Sequence, residues 1–192
     1  MKYKAVGLLN DFNYLGEKHL DNGTVLIGKA PHIAPLAWLH TIYAVLNEEE
    51  IGLLEKKLGC VIPFIYKDFL QTTNGLNVFN GTLSLFGFRK NYNRTVDNIL
   101  GQPFDIIVPN VLERPYNAKG NVFIIGSYNW DGSYLYIDTK TNKVHLCERN
   151  DATSLLQWPD FETMIEREIP RLISLFDKEG KEIDEAKSTL PI

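Results

Sequence analysis

The sequence predicts an α+β domain in which an antiparallel or mixed β-sheet packs against N-terminal and C-terminal helices. Three observations predict it. Helix signals cluster between Asn47 and Leu70, where capping residues bracket apolar positions at helical spacing. Three segments rich in β-branched and aromatic residues, Val122 to Ile125, Tyr134 to Ile137 and Val144 to Cys147, are separated by turn clusters. A final helix signal opens at Asp160. Helices, then strands, then a helix do not make the alternating βα pattern of a doubly wound sheet. At 192 residues the chain fits a single domain able to bury roughly 70% of its unfolded surface. Its 44% hydrophobic and 23% charged residues are ordinary for a globule and argue against disorder.

Residues 1–46 carry few signals. Val25 to Ile27 reads as a short strand after the Asp21-Asn22-Gly23 turn, and Pro31 and Pro35 interrupt any helix between them. Leu36 to Leu46 is apolar almost all round; a buried helix or two strand segments would fit, and the helix is expected. Asn47 is an N-cap. Glu48, Glu49 and Glu50 complement the dipole of the first turn, Lys56 and Lys57 that of the last, and Ile51, Leu54 and Leu58 form the buried stripe. Gly59 is expected to end that helix in a left-handed conformation, and Pro63 to open the next at its first position, with Phe64, Ile65, Phe69 and Leu70 as its apolar residues.

Asn74-Gly75 stops that helix, and the first strand of the sheet is expected at Leu83 and Leu85, between Asn80-Gly81 and Gly87. Val96, Ile99 and Leu100 suggest a short helix, Phe104 to Val108 a strand ended by Pro109, and Asn110 to Arg114 a further turn or helix. The three segments within residues 122–147 read as an antiparallel meander. Asp160 caps the closing helix, whose inward positions are Phe161, Ile165, Ile169, Leu172 and Phe176, with Pro170 kinking or splitting it. From Asp177 the chain is charged and expected to fray.

Composition excludes several functions. The formal charge of −4, from 24 acidic and 20 basic residues, gives no general attraction to nucleic acid, and Arg89, Lys90 and Arg94 around Tyr92 make a thin patch against it. No apolar run approaches the roughly 18–20 residues that cross a bilayer, and the first residues lack a signal-peptide pattern, so a cytoplasmic protein without membrane contact is expected. Cys60 and Cys147 lie far apart with no disulfide framework, which suits a reducing compartment.

No residue pattern points to catalysis. Neither G-x-G-x-x-G nor G-x-x-x-x-G-K-[ST] occurs, so no nucleotide cofactor is expected. His19, His32, His40 and His145 are scattered and there is no C-x-x-C, so no metal is expected. His145 shares a strand face with Cys147, but such neighbours stand roughly 7 Å apart, too far for direct activation. Cys60 reads as a small core residue, and no G-x-S-x-G supports a serine nucleophile. Catalytic residues are therefore expected to be absent, and the enzyme alternative that remains is a pair of carboxylates brought together only by folding.

The densest candidate for function is GSYNWDGSYLYID, Gly126 to Asp138. It places Tyr128, Asn129, Trp130, Asp131 and Tyr134 around an Asp131-Gly132 turn, and aromatic side chains with one polar end are favoured where proteins bind each other. The alternative is a tight hairpin whose aromatics fold back onto the sheet.

The order of these features resembles the SUKH superfamily, which includes the yeast regulator of cell-wall glucan synthesis and many bacterial immunity proteins. Ile51 to Gly75 is similar to its helix ending in Leu-Gly, proline-led second helix and Asn-Gly stop. Leu83 to Gly87, LSLFG, is similar to its following strand, and Phe123 to Asp138 to its glycine-bearing hairpin ending in aspartate. Many members carry Gly-Asp before the second hairpin strand, where this chain has Ser133 and Tyr134 after Gly132. The resemblance spans residues 47–176, leaving 1–46 as an extension packed on that domain and 177–192 as a polar tail. It implies a non-enzymatic immunity protein that binds a cognate protein toxin, such as a nuclease, and blocks its active site. An acidic rim would speed encounter with a basic toxin. An intracellular scaffold or regulator is the alternative that the eukaryotic relatives suggest.

Overall fold

The computed structural model describes residues 3–192. Nine strands among them form one antiparallel sheet in chain order: β1 (Glu17–His19), β2 (Val25–Lys29), β3 (Trp38–Ile42), β4 (Leu76–Val78), β5 (Leu83–Leu85), β6 (Val122–Tyr128), β7 (Tyr134–Asp138), β8 (Val144–Cys147) and β9 (Leu156–Trp158). The helices are α1 (Lys4–Gly7), α2 (Glu48–Leu58), α3 (Phe64–Leu70), α4 (Val96–Leu100) and α5 (Phe161–Ile173). The α+β domain expected from the sequence is thus observed.

Asn47 caps α2 as read, and Glu50 adds a reciprocal bond that was not. Asn47 accepts from the Glu50 N–H at 2.9 Å, and Glu50 accepts from the Asn47 N–H at 3.0 Å, a reciprocal capping box. Ile51, Leu54 and Leu58 are buried, and Gly59 ends the helix at φ 68°. Pro63 lies one position earlier than expected, just before α3. The inward face of α3 also differs: Phe64 is 82% exposed, while Tyr66, between the expected apolar positions, is fully buried. Phe161 packs edge to face with both Tyr66 and Phe69, at centroid distances of 5.3 and 5.1 Å, locking α3 to α5. The Tyr66 hydroxyl oxygen lies 2.6 and 2.9 Å from the carbonyl oxygens of Phe86 and Ile125, to which it donates.

Several expectations are corrected. Leu36 to Leu46 is not a helix: it contains β3, paired with β2 and β4. Leu39 and His40 on opposite faces of β3 are both buried, so the strand shows no alternation to read. The sheet does not begin at Leu83, since β1 to β4 precede it. Phe104 to Val108 makes only an isolated parallel bridge, Asp105 to Gly87, before a single wide turn over Val108–Leu112. There the Asn110 carboxamide takes the place of a strand, accepting from the Ile124 N–H at 2.9 Å and donating to its carbonyl at 2.7 Å. Asp160 caps α5 by accepting from the Thr163 N–H, and α5 runs through Pro170 without splitting. The chain does not fray after Asp177: Phe176 stacks on Phe79 at 3.8 Å, Thr189 is buried, and its carbonyl accepts from Arg171 at 2.8 Å.

Register decides which side chains face the helices. Leu83 pairs with Tyr128 and Ser84 with Ser127, while Tyr134 pairs with both Ser127 and Cys147. Side chains alternate across a strand, so Leu83 and Tyr128 share the helix-covered face, and Ser84, Ser127, Tyr134 and Cys147 share the other. A bulge between Ile124 and Gly126 shifts the β6–β7 register.

Two predictions follow from this packing. Gly59 and Gly75 both have positive φ, but a Cβ on Gly59 meets open space whereas one on Gly75 would stand 2.7 Å from the Leu85 carbonyl oxygen. Gly59→Ala should cost about 1–2 kcal/mol in denaturant unfolding, and Gly75→Ala clearly more. The second concerns His40, which is fully buried, with its Nδ1 accepting from the Phe79 N–H at 3.2 Å; burial lowers its pKa to about 3. An unfolded histidine takes up its proton near pH 6.5, so below that pH the unfolded state holds more protons and stability falls as pH falls, by up to about 1.4 kcal/mol per unit. Unfolding midpoints measured from pH 6.5 to 5 should decline, and His40→Asn should remove most of that slope.

Candidate functional site

The hairpin between β6 and β7 is held from both sides of its turn. The Tyr128 N–H donates to the Ser133 carbonyl at 3.0 Å and the Gly132 N–H to the Tyr128 carbonyl at 3.1 Å. Asp131 closes the turn by accepting from the Ser133 N–H at 2.8 Å, and Gly132 supplies the positive φ of 78°. The Asn129 N–H donates to the Thr82 carbonyl, tying this turn to the one between β4 and β5.

The five residues expected to act together divide into two groups. Asn129 and Asp131 are exposed, and Trp130 is 45% exposed. Tyr128 and Tyr134 are buried and offer a partner no surface. They point to opposite faces of the sheet, as the register requires. Tyr128 donates to Glu168 at 2.6 Å; Glu168 also accepts from the Arg171 guanidinium at 2.7 and 3.0 Å. Burial, reinforced by the Glu168 carboxylate, pushes the Tyr128 phenol well above its ordinary pKa. Tyr134 lies under the Arg149 guanidinium, 5.9 Å from its ring, and Arg149 pairs with Glu113 at 3.0 Å. The expectation that the aromatics fold back onto the sheet therefore describes both tyrosines, and the turn itself presents Asn129, Trp130 and Asp131. Arg149 and Glu113 border this turn and had no signal in the sequence, because only folding brings them to it.

Other reactive groups are dispersed. Cys147 is buried, and burial pushes its thiol up to about 12. Cys60 is exposed rather than a core residue, because the chain after α2 carries Cys60 and Val61 on the outside of the corner. His145 Nδ1 is 2.8 Å from Ser154 Oγ, and its ring stacks on Tyr136 at 4.8 Å. Two carboxylates do share a cavity: Glu182 and Glu185 line an open groove of about 470 Å³ beside Asn129, and burial together with Glu185 raises the Glu182 pKa. Among the described residues no group of three His, Cys, Asp or Glu side chains is placed to hold a metal ion, and no helix is long and apolar enough to cross a membrane.

A single-layer antiparallel sheet with helices against one face and a rigid, solvent-facing hairpin turn defines the class. The chain belongs to the SMI1 / KNR4 family (SUKH-1), whose pattern matches residues 46–167. That span takes in α2, α3, the hairpin and the start of α5, including the segments that carry the resemblance in the sequence. No curated protein matches the chain.

The burial difference between the two cysteines is directly measurable. Titration of the native protein at pH 8 with a chromogenic disulfide reagent should consume one thiol rapidly, and Cys60→Ser should abolish that phase. The Cys147 thiol should react only on unfolding, since it is both covered and protonated.

Proposed function

We propose that this chain is a non-catalytic immunity protein that binds a cognate toxin in the cytoplasm and denies substrate access to the toxin's active site. Family membership is the observation that carries this reading, because the bacterial members it resembles neutralise toxins in this way. The contact proposed is the turn between β6 and β7. Trp130 supplies an aromatic anchor of the kind that dominates protein interfaces. Asp131 and Asn129 supply polar contacts, and Tyr128 and Tyr134 hold the turn from the two faces of the sheet. The formal charge of −4 suits a basic partner such as a nuclease domain, whose own surface must attract nucleic acid. In this reading residues 47–176 form the family domain, 1–46 an extension that lengthens its sheet, and 177–192 a tail.

The test is to purify the toxin domain encoded beside this gene, measure its affinity for the chain and measure rescue of toxin-expressing cells. Tight binding and rescue are expected. Trp130→Ala should weaken binding by about 2 kcal/mol or more, close to thirtyfold, with an unchanged unfolding midpoint. Asp131→Asn keeps the oxygen that closes the turn and should weaken binding through charge alone. An absence of binding and rescue, with a housekeeping protein captured instead, would replace this reading with that of an intracellular regulator.

A further inference from the structure

The hairpin turn is one part of a wider exposed surface. Phe86 packs under both Phe104 and Tyr134, with centroids 6.2 and 6.4 Å away, and Tyr134 carries Arg149. Arg149 touches the turn, since a Cβ on Gly132 would stand 3.6 Å from its Cδ, and its ion pair with Glu113 brings in the wide turn over Val108–Leu112. The Tyr116 N–H donates to the Asn150 carbonyl, and its hydroxyl donates to Asp151 at 3.0 Å. Three segments distant in sequence therefore converge around Arg149: the β6–β7 turn, residues 104–116 and the loop after β8.

This surface carries exposed apolar side chains. Phe104 is 56% exposed, Leu112 72% and Tyr116 81%. With Trp130 they are four exposed large apolar side chains carried by the three segments that meet at this ion pair. The surrounding charge is one-sided. Arg149 is matched by Glu113, and Asp131, Glu148 and Asp151 have no cationic partner among the described residues. Arg114 is turned onto the carbonyls of Asn110, Lys119 and Val122.

We infer that this three-segment face, centred on the Arg149–Glu113 pair, is the docking surface for a basic protein that inserts apolar side chains between Trp130, Leu112 and Phe104. The inference rests on the toxin-binding reading and enlarges its contact from one turn to a composite face. Its chemistry follows the division of labour at protein interfaces, in which buried apolar anchors slow dissociation and unpaired rim charges speed association.

Association and dissociation rates with the catalytically inactivated toxin domain encoded beside this gene, measured at 50 and 300 mM NaCl, test it. Leu112→Ser should raise the dissociation rate roughly tenfold or more. Glu148→Lys should slow association several-fold and flatten its salt dependence. Phe64→Ser, which removes the exposed ring at the α2–α3 corner, should change neither rate. If the wild-type chain binds the toxin and Leu112→Ser and Glu148→Lys leave both rates unchanged, or if Phe64→Ser is the variant that weakens binding, the composite face is wrong while the toxin-binding reading stands. If the wild-type chain does not bind the toxin at all, that reading falls and the inference with it.

Discussion

The hydroxyl of Tyr66 is the contact on which the arrangement of the sheet depends. Where the β6–β7 register shifts at Ile125, two carbonyl groups, those of Phe86 and Ile125, converge in the interior. The Ile125 carbonyl also accepts from the Phe86 N–H at 2.8 Å, so the Phe86 carbonyl is the one that Tyr66 keeps from being buried without a donor, a cost of about 1–3 kcal/mol. Tyr66 supplies the donor from α3, and its ring stands among Phe69, Phe161 and Phe123. One side chain therefore ties α3 to the sheet where β5 ends beside the bulge of β6.

The outward face follows from that irregularity. Beyond the bulge, Tyr128 falls on the helix-covered side and reaches Glu168, while Tyr134 falls on the other side beneath Arg149. A one-residue slip would exchange the faces, leaving Glu168 with Arg171 but without its phenol donor. The turn can stand rigidly in solvent because a tyrosine is anchored on each side of it. Rigidity matters to a binding surface, since side chains already held in place lose less freedom when a partner arrives.

Much of this was legible in the sequence wherever a signal is local. The Asn47 cap, the left-handed Gly59, the meander over residues 122–147 and the Asp160 cap each depend on neighbouring residues, and each is found as read. The failures share a different cause. β3 is covered on both faces, so it lacks the alternation that separates strand from helix; β1 and β4 are three residues long, too short to show a period. Phe64 and Tyr66 exchange roles although the spacing distinguishes them: Tyr66, Phe69 and Leu70 recur at i, i+3 and i+4, and Phe64, two positions before Tyr66, falls on the opposite side of the helix. At the hairpin the turn was legible from Asp131-Gly132, but the opposite burial of Tyr128 and Tyr134 depends on pairing with β5 and β8. Glu113 and Arg149 meet across 36 positions of chain, beyond the reach of any local pattern.

The orientation of the β6–β7 turn thus follows from the register around one bulge. Tyr66→Phe keeps the ring and its packing and removes only the hydroxyl, so amide hydrogen exchange across the whole chain, read alongside denaturant unfolding, isolates this contact. A loss of about 1–3 kcal/mol is predicted, with faster exchange concentrated in β5, β6 and β7 and little change between β2 and β3. Wild-type stability with undiminished protection of the β6–β7 hairpin would contradict the account.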